Sequence, residues 1–291
     1  MLLNLREYHR PAREAPHRAL AYTIELLARP SVRTVPLAGG DTLLAAADPT
    51  IEAVVDLQGL GLDAIRPEQT TGTLRIGAMV TRAALADQPA ARELCSGILA
   101  EAARGWAGSV QRNRATVGGA LAVAAANDPL LVALLACGAL VTLFGREGTD
   151  ELPLREFLPR RGELLAAPAL ITEAVVPRPV GQAGAGLARV ARTPADAPIV
   201  IAAAHIEREG ERCRAVRLAL GGVAARPLDV SDAAAALVGH APTAAAIAEV
   251  AGRAAAGLQP PADFRGSAAY RRAMAAVLAG RALRLAWERS A

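Results

Sequence analysis

Two segments of adjacent glycines carry the chemistry this sequence can offer. One is Ala38-Gly39-Gly40-Asp41-Thr42, directly after an apolar run ending at Leu37, and the other is Thr116-Val117-Gly118-Gly119. Glycine lets a ligand approach backbone N–H groups closely and lets the chain turn so that several of them aim at one anion. Thr42 and Thr116 add hydroxyl donors. Taken singly, each segment also reads as an ordinary tight turn. As a pair, far apart in sequence and each ending a strand or opening a helix, they suit the two halves of a pyrophosphate.

Other chemistries are excluded by residue type. The 32 basic residues are all Arg, so no P-loop or Schiff-base lysine exists. His9, His17, His205 and His240 are dispersed, without Ser-His-Asp or metal spacing, and read as structural or exposed. Cys95, Cys137 and Cys213 lack any C-x-x-C spacing, so no zinc or iron–sulfur site is expected and any metal must sit on another chain. Aromatic residues are 3% and the net charge of +4 is spread along the chain, which argues against a nucleic-acid partner.

The positioning elements follow from pattern. Residues 15–29 have helical spacing, Val32–Leu37 is a strand delivering the first glycine segment, and Ile51–Asp56 is a second strand. TGTLRIGAMVT reads as a hairpin arm, residues 81–105 as helix, and 106–119 as a long polar loop. Asn127-Asp128-Pro129 is a helix start with Asp128 as the N-cap. The apolar run it opens, Pro129 to Phe144, is shorter than the roughly 20 residues of a membrane helix, so no membrane span is expected. PRRGELLAAP reads as a loop, ALITEAVVP as a strand and PRPVGQAGAGLA as a linker. Beyond it, paired antiparallel strands (189–209 and 212–227) precede three helices (230–239, 243–256 and 267–288). At 291 residues and 53% apolar content, two globular domains are expected. The charged amino-terminal residues and sparse cysteines suggest the cytoplasm.

EYHRP, PLAGGDTLL, VVDLQGLGLDAI, LRIGAMVT, QRNRATVGG, LITEAVVP, LALGGVAARP and GSAAYRRAMAAVLAGRAL together resemble, in order and spacing, the FAD-binding subunit of molybdenum hydroxylases. The likeness spans essentially the whole chain. It implies an α+β architecture: a two-part FAD-binding α/β domain (PCMH-type) over 1–179, divided near 56, then a carboxyl-terminal domain of antiparallel strands and helices over 180–291 that shields the flavin. Leu37 to Thr42 (Leu37, Ala38, Gly39, Gly40, Asp41, Thr42) match that family's first phosphate loop, and Thr116, Val117, Gly118 and Gly119 the second. Arg189 stands where a Lys near the flavin is usual, and Ile171 lies on a strand bordering the ring. Trp106 falls where some members place an aromatic against the cofactor, or it is an indole packed at a helix end. Asp128 substitutes for a family Asp that aligns on Pro129, or is only the helix cap.

The resemblance implies non-covalent FAD here and no catalytic acid or base, because the redox chemistry is the cofactor's. The molybdenum cofactor and 2Fe-2S clusters would belong to a large and a small partner subunit, in a dimer of heterotrimers, with electrons passing from the clusters through FAD to an acceptor. The chain departs from the family at Ala120, in the AVAAAN stretch at 122–127, and at Ala197. Those departures motivate a rival reading, a scaffold of the same fold without working flavin. A flavoenzyme acting alone would need a substrate base or a His-linked flavin, and nothing in the sequence marks either.

Overall fold

The computed structural model describes residues 4–11, 16–193 and 196–291. The β-branched and Ala-rich strands sort into three sheets. The first is parallel, with Ala53–Asp56 central between Glu7–His9 and Thr34–Leu37. Ala53, Val54, Val55 and Asp56 are all buried, as parallel strands covered on both faces require. Helix Pro16–Leu27 connects the two outer strands. Ala15, at the edge of the expected helix, lies outside the described residues.

The second sheet is antiparallel, in the order Ile65–Pro67, Leu74–Gly77, Leu170–Val176, Leu140–Gly145, Gly148–Pro153. Helix Val117–Val123 packs against Leu170–Val176 and Leu74–Gly77, and helix Leu154–Ala166 against Leu140–Gly145 and Gly148–Pro153. Helix Pro129–Ala136 has every residue buried, which an all-apolar sequence with no solvent face demands. It is a core helix. No helix among the described residues is long and apolar enough to cross a membrane.

The third sheet is antiparallel, in the order Leu228–Asp229, Arg212–Gly221, Val200–Glu209, Gln182–Val190. Its central strand alternates strictly. Ile201 and Ala203 face the core shared with Pro129–Ala136, whereas Val200, Ala202, Ala204 and Ile206 face helices Ala244–Ala256 and Ala268–Glu288.

Four expectations need correction. Gln182–Val190 is a strand and not part of a linker. Its glycines are there for packing: a Cβ at Gly184 would lie 2.2 Å from the Ala286 carbonyl oxygen, and one at Gly186 would lie 2.4 Å from that of Ala282. The last helix therefore seats backbone against backbone. Leu154–Ala166 is a helix despite Pro159, because Leu154, Phe157 and Leu158 bury one face of it. The 106–119 stretch holds a short helix, Ser109–Arg114, and the helix expected at 230–239 shrinks to Ser231–Ala234 followed by a tighter turn. Pro194 and Ala195, inside a segment expected as strand, lie outside the described residues; the strand itself starts at Val200.

Gly186→Val places two methyls against the last helix. The chain's unfolding free energy should fall by about 1–3 kcal/mol, the usual cost of overpacking, read by thermal denaturation. An unchanged midpoint would mean that the helix does not seat on this strand.

Candidate functional site

Strand Thr34–Leu37 ends at the first glycine segment, where Gly40 turns the chain with φ +74° into the short helix Asp41–Ala46. That conformation favours glycine. Gly39 is required for a different reason, since a Cβ there would stand 1.7 Å from the Arg114 carbonyl oxygen. The loop before the second glycine segment thus lies directly on the first. Arg114 Nη2 also reaches the Gly39 carbonyl, at 3.4 Å. Among the described residues, no group accepts a hydrogen bond from the amides of Gly39, Gly40, Asp41 or Thr42. They remain available as donors.

The second segment differs. Thr116 caps helix Val117–Val123, its Oγ1 accepting from the Gly119 amide at 3.0 Å. The Val117 amide donates to the Val80 carbonyl, that of Gly118 to Ala78 and that of Ala120 to Thr116. A Cβ on Gly118 would sit 2.7 Å from Ala78 Cβ. The donors of this loop are already spent on joining it to the end of the hairpin arm. Sequence reasoning treats the two segments as equivalent; only the first is open.

Between them lies a cavity of about 580 Å³, within the ~300–1,000 Å³ usual for ligand clefts. Ala38, Gly39, Gly40, Asp41, Thr42, Trp106, Thr116, Gly118, Gly119, Asp128 and Ile171 all line it. Leu27, Leu57, Leu165, Pro168 and Leu170 give it apolar walls. Leu37 stands outside that lining, beside the Gly40 turn, and Val117 is fully buried beneath. Arg189 lines a separate hollow of about 450 Å³ with Gly105, Pro129 and Leu187, and donates to the Gly105 carbonyl. The carboxyl-terminal sheet contributes to that second hollow, and none of the residues lining the first cavity comes from beyond Ile171.

Asp128 is a helix cap. Its Oδ1 accepts from the Leu130 amide at 2.9 Å, while Oδ2 pairs with Nη2 of Arg82. Arg82 is the site residue that sequence reasoning misses. It sits at the start of a helix capped by Thr81, its amide donates to the Ala115 carbonyl, and its guanidinium lies 4.2 Å under the Trp106 ring centroid. The side chain is 2% exposed, yet Nε and Nη1 have no partner among the described residues. No local signal in TRAALAD marks this, because the pairing with Asp128 spans the fold.

Open amides on one turn, flat apolar walls and an indole face suit a ligand with phosphates and planar rings. Fold and cavity together define a dinucleotide-binding protein. Residues 8–179 match the model of the FAD binding domain in molybdopterin dehydrogenase, and 187–286 that of the CO dehydrogenase flavoprotein C-terminal domain. The carbon monoxide dehydrogenase medium chain of Afipia carboxidovorans is 32% identical, over 98% of this chain and 97% of its own. The carbon monoxide dehydrogenase structure from Hydrogenophaga pseudoflava superposes with a TM-score of 0.86 at 29% identity, covering 100% of both chains. Quinoline 2-oxidoreductase from Pseudomonas putida 86 gives 0.82 at 28%, covering 98% of each. The chain belongs to the family of medium, FAD-binding subunits of molybdenum hydroxylases.

Gly39→Ala must push the two loops apart. Without any added ligand, unfolding free energy should drop by about 1–3 kcal/mol, measurable by denaturant titration. A ligand-free stability equal to wild type would show that this glycine serves only ligand approach.

Proposed function

We propose that the chain holds one FAD non-covalently in the cavity and serves as the flavin relay of a heteromeric molybdenum hydroxylase. The observation that carries this is the set of open amides at Gly39–Thr42 facing a cavity with apolar walls. Bound there, FAD would supply the redox chemistry, a relay between 2Fe-2S clusters on a small partner subunit and an external acceptor. The amides of Gly39 to Thr42 neutralise phosphate charge. Gly118, Gly119 and Thr116 form the facing wall, Leu165 to Ile171 exclude water from the planar rings, and Trp106 offers a stacking face. Arg189 fixes the Gly105 carbonyl and so the backbone leading into Trp106.

The division of labour follows the layers. Residues 1–179, in two parts meeting near 56, bind the cofactor; 180–291 form a second domain packed beside it. A large subunit with the molybdenum cofactor completes the complex, as a dimer of heterotrimers in the cytoplasm. The alternative of a flavin-free scaffold rests on Ala120, residues 122–127 and Ala197. Ala120 does form part of the cavity wall, but the phosphate-side amides are backbone groups that those substitutions do not remove.

Reconstitution with FAD should give one bound flavin per chain, released intact on denaturation and visible in the yellow absorbance bands. A chain that stays colourless after desalting supports the scaffold instead. Native material should also carry two further polypeptides, one with 2Fe-2S clusters; size exclusion with mass analysis that finds this chain alone contradicts the heteromeric reading.

A further inference from the structure

The second hollow, of about 450 Å³, shares no lining residue with the first cavity. Gly105 lines one and Trp106 the other, and Pro129 and Asp128 divide in the same way, so two pairs of consecutive residues form the partition. One wall of the hollow is a helix face. Gly97, Ala100, Glu101 and Arg104 recur at the three- and four-residue spacing that sets side chains in one row, beginning at the cap of helix Ile98–Arg104. Another wall is Leu187 and Arg189 on strand Gln182–Val190. The space therefore lies between the helical layer and the third sheet.

Charge in this hollow is not balanced. Arg92, Arg104 and Arg189 line it against one carboxylate, Glu101, which leaves a net charge of +2, and Glu101 is itself drawn to Arg289 at 3.4 Å. Gly97 turns the chain with φ +74°, and a Cβ there would lie 2.8 Å from the Arg92 carbonyl oxygen, so Arg92 is folded tightly beside the helix start. Arg92 and Arg104 are then pinned to the same two groups. Arg92 reaches the Ala86 carbonyl through Nε at 3.1 Å and Asp87 through Nη2 at 2.9 Å; Arg104 Nη2 reaches the same carbonyl at 2.9 Å and the same carboxylate at 3.5 Å. Two cations gathered on one carbonyl repel each other, and a single Asp87 offsets only one of them. Nη1 of Arg92 and both Nε and Nη1 of Arg104 donate no hydrogen bond among the described residues. Their side chains are 50% and 56% exposed, so a ligand arriving from solvent can reach them.

Guanidinium forks that are open to solvent and short of one counter-charge match the two-oxygen edge of a carboxylate or phosphate. Pro129 and Leu187 set apolar surface beside them, in a space large enough for a small molecule. We propose that the hollow is a second ligand site of this chain and takes a small organic oxyanion, with Arg92 and Arg104 on the carboxylate or phosphate group and Pro129 and Leu187 against the body that carries it. This inference does not rest on the FAD reading, because none of its residues lines the cavity that reading uses.

The test is calorimetric titration of the full-length chain, loaded with FAD, by phenyl phosphate, benzoate and phenol. At least one of the two oxyanions should bind at one per chain, and phenol, which has the same ring without the oxyanion group, should not. The tighter of the two identifies the group as phosphate or carboxylate. Arg92→Gln and Arg104→Gln should each weaken that oxyanion by roughly tenfold or more, the scale of a lost charge-assisted hydrogen bond, with FAD affinity within about twofold, the scatter left when no direct contact is removed. In the unaltered chain, which tests the contacts even if a variant misfolds, the Nε–H resonances of Arg92 and Arg104 should shift on adding the oxyanion. Those of Arg160 and Arg253, which are about as exposed and sit in surface ion pairs outside the hollow, should stay put. Absence of saturable binding, equal binding of phenol, wild-type affinity in both variants, or shifts spread evenly over exposed arginines overturns the assignment. Displacement of FAD by the oxyanion overturns it too, since the hollow would then belong to the cofactor's own site. A chain that takes up no FAD is titrated as it is, so failure of the flavin reading leaves this test standing.

Discussion

The site depends on one close approach, the Gly39 backbone lying against the carbonyl of Arg114 with no room for a single carbon between them. That contact joins the parallel sheet, whose last strand delivers Gly39, to the chain that opens helix Val117–Val123. The second loop is tied in turn to the antiparallel sheet through Gly118 on Ala78 and the Thr81–Thr116 bridge. Because both anchors are backbone to backbone, they are short and stiff, and they fix the spacing of the two walls. The cavity is what remains between them.

This arrangement divides the work of the two glycine segments. The second cannot both hold the fold together and offer its amides to a ligand, since each buried N–H makes its hydrogen bond once. Its Val117, Gly118, Gly119 and Ala120 amides are spent internally, which leaves the first segment as the donor surface. The third sheet acts at one remove. Arg189 holds the Gly105 carbonyl, and Asn127 Nδ2 donates to the Pro198 carbonyl at 2.5 Å. Through these contacts the carboxyl-terminal half sets the backbone next to Trp106 and Asp128 without lining the main cavity.

Much of this was legible in the sequence where pattern is local. The parallel strand feeding Gly39-Gly40, the capped start at Asp128 and the long helices near the carboxyl terminus follow from period, caps and turn residues. What was not legible depends on contacts distant in sequence. Gly184 and Gly186 read as a linker until the last helix is laid across them. Pro159 reads as a breaker until Leu154, Phe157 and Leu158 find a core. Arg82 carries no signal of its own in a stretch read only as helix, and Asp128, 46 residues on, meets it under Trp106. Arg189 was placed near the cofactor by resemblance, and its side chain lies in a neighbouring hollow bound to Gly105.

The central claim is that the first glycine segment is the open donor surface and the second a structural anchor. Hydrogen–deuterium exchange of the full chain with and without FAD tests it most directly. The account predicts added protection at the amides of Gly39 to Thr42 on binding, with little change at Val117 to Ala120, already bonded without ligand. Protection gained at 117–120 with none at 39–42 would contradict it.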